Sequence, residues 1–204
     1  MGRAVVTTVG CVSWRTWTVT YAPSDVVRSS GYVGGQERVT SKRVVATRTG
    51  GMRFAVATGS GHEVVVDDGV SNTGPRPTEY VLVGLAACTG MDVIAILEKK
   101  RQVVTAYEVM VLGVQRETRP DVFVRIDVVH DVTGPAIDAV AVRRSIELSA
   151  WKYCPVSAML CAGTVEMHHR YRIHRDGEAE PEEGEVVTLG PGYNPTPDEL
   201  VAHG

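Results

Sequence analysis

Apolar residues run almost unbroken from Val81 to Leu97, with no one-sided stripe. Pro77 suits a first helical turn, and Glu98, Lys99, Lys100 and Arg101 close the run. The three cations suit the negative end of a helix dipole. A helix apolar all round is predicted to lie in the core, covered on every side. The uninterrupted apolar stretch is shorter than about 18 residues and holds Asp92, which favours a core helix over a membrane span. Shorter β-prone runs flank it. Arg43–Thr47, Arg53–Ala57 and His62–Val66 predict strands, separated by Thr49-Gly50-Gly51 and Gly59-Ser60-Gly61 turns. Val103–Gln115 and Val122–Asp131 predict an antiparallel hairpin around Glu117–Asp121, with Val122, Val124, Ile126 and Val128 on one face. A second helix is predicted over Ala136–Ala150 and a short third one from Cys154-Pro155 to Cys161. Thr164–Ile173 alternates as a closing strand. Strands before, between and after helices give an α+β class.

Composition adds bounds. A chain of 204 residues, 44% hydrophobic and 22% charged, suffices for one domain with a real core. Four cysteines, Cys11, Cys88, Cys154 and Cys161, fit neither a zinc framework nor a secreted disulfide scaffold. The chain opens without a charged and then apolar leader, so a cytoplasmic protein is expected, bound neither to membrane nor to nucleic acid. The net charge of −3 is uneven. Residues 174–204 hold eight acids against one base, or −7, which leaves +4 for the rest. The acidic segment reads as a solvated, disordered tail. Residues 1–41 read as an extension of unknown role, in which Cys11 is a bystander, and residues 42–173 as the folded domain.

Two cysteines carry local signals. Cys154 directly precedes Pro155, which favours a first helical position, so Cys154 falls at the N-cap, where unpaired N–H groups and the dipole favour a thiolate. The bland alternative is a buried cysteine that caps a turn. Cys88 sits mid-helix, where burial raises a thiol pKa, and needs a cation or donor beside it to react. Asp92 lies one turn on, on the same face. Its charge opposes thiolate formation, and its expected task is a hydrogen bond to backbone or to a cation. Cys161 reads as packing. His168 and His169 are adjacent in a strand and point to opposite faces, one to surface and one to core.

Pro75-x-Pro77-Thr78-Glu79, followed by Cys88, Met91-Asp92-Val93 and Lys99-Lys100-Arg101, resembles the osmotically induced protein C and organic hydroperoxide resistance (OsmC/Ohr) family. Tyr153-Cys154-Pro155-Val156-Ser157 resembles its second cysteine motif, and Thr49-Gly50-Gly51-Met52-Arg53 its glycine turn before an arginine-bearing strand. The resemblance covers residues 42–173. It implies an α+β OsmC-like fold in which antiparallel sheets wrap two central helices of an intertwined homodimer. It also implies a thiol-dependent peroxidase for organic hydroperoxides, and more slowly for hydrogen peroxide. On that basis Cys88 would attack the peroxide, Cys154 would resolve the sulfenic acid as a disulfide, and external thiols, dihydrolipoyl groups among them, would restore the dithiol. No metal or bound cofactor is implied.

The resemblance also calls for an arginine and a glutamate beside Cys88. Arg53 is the arginine candidate, with Arg48 competing. The position usual for the glutamate holds Thr78, and Glu79 follows one residue later. Nine residues of continuous helix put Glu79 on the face opposite Cys88, where it would favour the helix N-terminus instead. Two other readings stay open: a redox-sensing or apolar-ligand-binding protein on the same fold, and a structural partner whose cysteines stay apart.

Overall fold

A computed structural model describes residues 42–191, together with the backbone of Val6–Val9 and Trp17–Thr20. Those two short segments, β1 (Val6–Val9) and β2 (Trp17–Thr20), pair antiparallel. The readings made for the rest of residues 1–41, Cys11 included, and for residues 192–204 lie outside the described residues. The chain divides after Gly74 into two compact units.

In the first unit β3 (Val44–Gly50), β4 (Arg53–Thr58) and β5 (Glu63–Val66) form an antiparallel sheet in that order. Gly51 turns the chain between β3 and β4 at φ 52°, a left-handed conformation that a β-carbon would strain. The Arg48 Nε–H donates to the Gly51 carbonyl over 2.7 Å, so Arg48 braces this turn. Arg53 opens β4 as an exposed residue.

The second unit begins with α1 (Pro77–Lys99), followed by β6 (Ala106–Gln115) and β7 (Phe123–Thr133). α2 (Ala139–Leu148) passes through a π-helical turn, Ser149–Tyr153, into α3 (Pro155–Cys161), and β8 (Glu166–His174) and β9 (Glu182–Leu189) complete the unit. The sheet order is β6-β7-β8-β9. β6–β7 form the expected hairpin and β8–β9 are antiparallel, whereas β7 and β8 run parallel because a helical crossover joins them.

Two expectations need correction. The acidic tail is not uniformly disordered, because residues 182–189 form β9. A register shift at Val186 flips the strand's faces, so Val187 and Leu189 are buried against the core while Glu183 and Glu185 are exposed. β8 turns basic groups toward these acids. Arg170 lies opposite Glu185 and Arg172 opposite Glu183, and Arg175 holds Glu182 over 2.6 Å. Charge that looked like a reason for disorder is matched across the strand pair. The second correction concerns α1, which is covered on one face only. Leu85, Thr89, Val93 and Leu97 are buried, while Val83 and Met91 are 53% and 69% exposed, in line with exposed Ala87 and Ala95. By length and composition alone α1 could cross a membrane. Its buried row against the sheet matches the core reading.

The core has two apolar clusters. One gathers Leu85, Ile126, Val128, Met167 and Leu189. The other gathers Val93, Leu97, Val132, Ile146 and Ile173. A polar layer runs between them. On the sheet, the buried His130 and His169 stand between the clusters on β7 and β8, and on α1 Thr89 stands between Leu85 and Val93. Tyr107 Oη and His130 Nδ1 are 2.7 Å apart, and His130 Nε2 and His169 Nδ1 are 3.4 Å apart. Burial drives both imidazoles toward the neutral form, His130 well below its ordinary range and His169 to about 4.

Candidate active site: two cysteines and an aspartate

Helix α1 supplies Cys88 and, one turn later, Asp92 on the same side. The third group arrives from the far end of α2. There the chain widens into the π turn, and the Cys154 N–H donates to the Ser149 carbonyl five residues back, over 2.8 Å. Cys154 is then the N-cap of α3 with Pro155 at its first position, as expected from the sequence. The Ser157 N–H donates to Cys154 Sγ over 3.4 Å, which fixes the sulfur.

These elements bring Cys88 Sγ, Cys154 Sγ and an Asp92 carboxylate oxygen within 4.8 Å of one another. Cys154 is buried, Cys88 and Asp92 are half-buried, and both cysteines are free thiols. Burial pushes the Cys88 thiol up to about 11, with further upward push from the contacting Cys154 side chain and from Asp92. The Val156 N–H pulls the other way, by stabilising the thiolate. Among the described residues, the groups that act most strongly on Cys88 include no cation. The opposition from Asp92 expected from the sequence is therefore present.

Its hydrogen bond goes elsewhere than expected. The Ser149 hydroxyl donates to Asp92 Oδ2 over 3.0 Å, so Asp92 uses neither backbone nor a cation there. Since that bond takes the Ser149 proton, the Thr89 hydroxyl donates to Ser149 Oγ over 3.1 Å. Thr89 to Ser149 to Asp92 is a directed chain that ends on a carboxylate. Sequence reasoning missed Thr89 and Ser149. The signal was available in part, because Thr89 is the polar member of the Leu85–Thr89–Val93–Leu97 row, and Ser145 and Ser149 step by four within the predicted helix over Ala136–Ala150.

Glu79 sits in the first turn of α1, and its Oε2 accepts from the Arg76 N–H over 2.6 Å, so its carboxylate caps the helix start. Nine residues of helix put it about 13 Å along the axis from Cys88. Thr78 precedes it and is exposed. Arg53 belongs to the first unit, where its charge acts on Asp67. Cys161 is half-buried at the end of α3, and burial and the nearby Cys154 push its thiol up to about 11. His168 lies on the outer face beside Glu166 and Glu185, while His169 is in the core, as their alternation required.

Comparisons with known proteins agree with this architecture. The family model described as OsmC-like protein matches residues 70–170. Protein YhfA of Escherichia coli strain K12 is 37% identical over 123 residues, which cover 60% of this chain and 91% of that protein. A hypothetical protein from Aquifex aeolicus VF5, 27% identical, superposes with a TM-score of 0.60 over 68% of this chain and 99% of that one. An OsmC-like protein from Mycoplasma pneumoniae, 14% identical, shares the fold with a TM-score of 0.59 over 67% of this chain and 99% of that one. With YhfA matched over nearly its whole length and the family model spanning both Cys88 and Cys154, the chain belongs to the OsmC-like protein family.

Proposed function

We propose that the protein is a thiol-dependent hydroperoxide reductase that works through Cys88 and Cys154. The observation that carries this reading is the convergence of the two free thiols from distant parts of the chain. Membership of the OsmC-like family, which includes peroxidases, supports it. The Cys88 thiolate attacks the outer peroxide oxygen, the O–O bond breaks, and alcohol leaves with a proton as Cys88 becomes a sulfenic acid. Cys154 then attacks that sulfur, water leaves, and a disulfide forms. An external dithiol, of the dihydrolipoyl class, takes up the oxidation and returns both thiols.

A thiol pushed to about 11 is ionised roughly once in 10³ to 10⁴ molecules near neutral pH. The first step therefore needs positive charge beyond what the second unit supplies. Arg53 is the proposed source, and Arg53→Ala is expected to slow Cys88 oxidation by about tenfold or more. We also propose that two copies of the chain associate through the exposed apolar row Val83, Ala87, Met91 and Ala95, which leaves α1 covered on both sides.

The test is intact mass with peptide mapping after one equivalent of cumene hydroperoxide, with hydrogen peroxide in parallel. Loss of two hydrogens at a Cys88–Cys154 link, faster with cumene hydroperoxide, is the expected result. Thiols unchanged after minutes would overturn the reading. The commitment of Glu79 to the helix cap favours a second one, in which the pair registers oxidation without turnover. Stoichiometric oxidation with no sustained peroxide consumption would select it.

A further inference from the structure

We propose that the reduced protein binds one thiophilic divalent cation of the zinc class through Cys88 Sγ, Cys154 Sγ and the Asp92 carboxylate. The donor atoms all lie within 4.8 Å of one another. Tetrahedral zinc with sulfur at about 2.3 Å needs its sulfurs about 3.8 Å apart, so side-chain shifts of about 1 Å or less close the site. Two sulfurs to one oxygen select zinc, cadmium or cobalt over magnesium and calcium. Three protein donors leave a fourth position for water or an exogenous ligand.

The frame around the donors is rigid. Cys88 and Asp92 stand one turn apart on a 23-residue helix. Cys154 is pinned by the Ser157 N–H. The Ser149 hydroxyl holds one Asp92 oxygen, the Thr89 hydroxyl holds Ser149, and the other Asp92 oxygen is left for the metal. The electrostatics favour a cation too. Cys154 and Asp92 both oppose ionisation of Cys88, and a divalent ion at the centre of the three turns that repulsion into attraction.

Binding breaks two S–H bonds, forms two sulfur–metal bonds and one oxygen–metal bond, and sends two protons to solvent. No electron moves. A Cys88–Cys154 disulfide removes both thiolates, so the oxidised chain cannot hold the ion. The inference concerns the resting reduced protein and does not rest on peroxidase activity.

The experiment is an anaerobic titration of the reduced, metal-free full chain with Co²⁺. The expected result is a sulfur-to-cobalt charge-transfer band that saturates at one ion per chain, with the intense visible bands of a four-coordinate site, both lost on adding Zn²⁺. Cys88→Ser and Cys154→Ser should each remove about half of the charge-transfer intensity. Ser149→Ala should weaken affinity 10- to 100-fold, and Cys161→Ser should leave the spectrum unchanged. The disulfide form should give no band. A second measurement needs no variant: Zn²⁺ should slow iodoacetamide alkylation of Cys88 and Cys154, mapped by peptide, without changing the rate at Cys161. Reduced wild type that gives no band at millimolar Co²⁺, a band left at full intensity by either cysteine substitution, or one that vanishes in Cys161→Ser would overturn the proposal.

Discussion

Mild acid should destabilise this protein through its polar layer, and His169 sets the scale. Its imidazole is fully buried and held at about 4, against an ordinary 6.5, chiefly by burial and then by the charge of His168. The folded state therefore binds a proton less readily than the unfolded chain. Stability is fully present above pH 6.5 and is lost as pH falls from there toward 4. At pH 5 the unfolded histidine is almost fully protonated and the folded one about one-tenth so, a loss of about 2 kcal/mol relative to pH 8. His130, shifted the same way, adds to this in the same window. Carboxylates held below their usual range, such as Asp127 beside Arg125, act mostly below pH 5 and do not confound the comparison. The assay is urea unfolding of the reduced chain at pH 8 and pH 5, at one protein concentration. The midpoint should fall by about 1 M. His169→Phe keeps a ring stacked on His130 but cannot titrate, so it should lose about 2 kcal/mol less over the same interval, whatever its absolute stability. Equal pH slopes for wild type and His169→Phe would refute the reasoning.

Three further outcomes follow from the site. Cys88→Ser should end peroxide consumption, whereas Cys154→Ser should leave a Cys88 that reacts once and then gains a second oxygen by mass; full turnover in Cys88→Ser would remove Cys88 from the chemistry. Asp92→Asn keeps an oxygen for the Ser149 hydroxyl but removes the charge that opposes ionisation of Cys88, so iodoacetamide should alkylate Cys88 a few-fold faster at pH 8. Slower alkylation would mean that Asp92 assists the thiolate. Glu79→Ala removes the carboxylate that accepts from the Arg76 N–H and should cost about 1 kcal/mol in chemical denaturation, with peroxide turnover unchanged; a drop beyond tenfold would restore Glu79 to the reaction.

What could be read from the sequence was local. Pro77 and the Lys99–Arg101 cations bounded α1, and Cys154-Pro155 announced a helix start that the structure reproduces. The β6–β7 hairpin followed from two alternating runs around one turn. What escaped was set by partners far along the chain. Ser149 meets Asp92 across 57 residues, and His130 meets His169 across 39. No window of sequence shows such pairs. β9 escaped for another reason. Counting charge over residues 174–204 hid the apolar end of the strand, Val187 and Leu189, which a register shift at Val186 turns to the face opposite Glu183 and Glu185, and the count ignored the basic face of β8 that those acids meet. In α1 the uniform apolarity was legible, but it could not say what covers each side: the sheet covers the Leu85 row, and the Met91 row is exposed.

The site's electrostatics tie these pieces together. Within the second unit, Cys88, Cys154 and Asp92 are all acids, and burial and both neighbours make a charge on Cys88 more costly. Three acids packed this closely do not help one another react. They are held there because Leu85, Val93 and Leu97 fix the helix, Ser157 fixes the Cys154 sulfur, and the Thr89–Ser149 chain fixes the carboxylate. Such an arrangement gains most from one added positive charge. An arginine would lower the Cys88 pKa and leave the thiolate free to attack a peroxide. A divalent ion would lower it further but occupy the sulfur electrons that attack requires. The two cations therefore predict opposite effects of Zn²⁺ and of Arg53 on the same thiol: Arg53 accelerates oxidation of Cys88, and Zn²⁺ suppresses it. Asp92 separates them again, because its removal should speed the free thiol and weaken the metal-bound one.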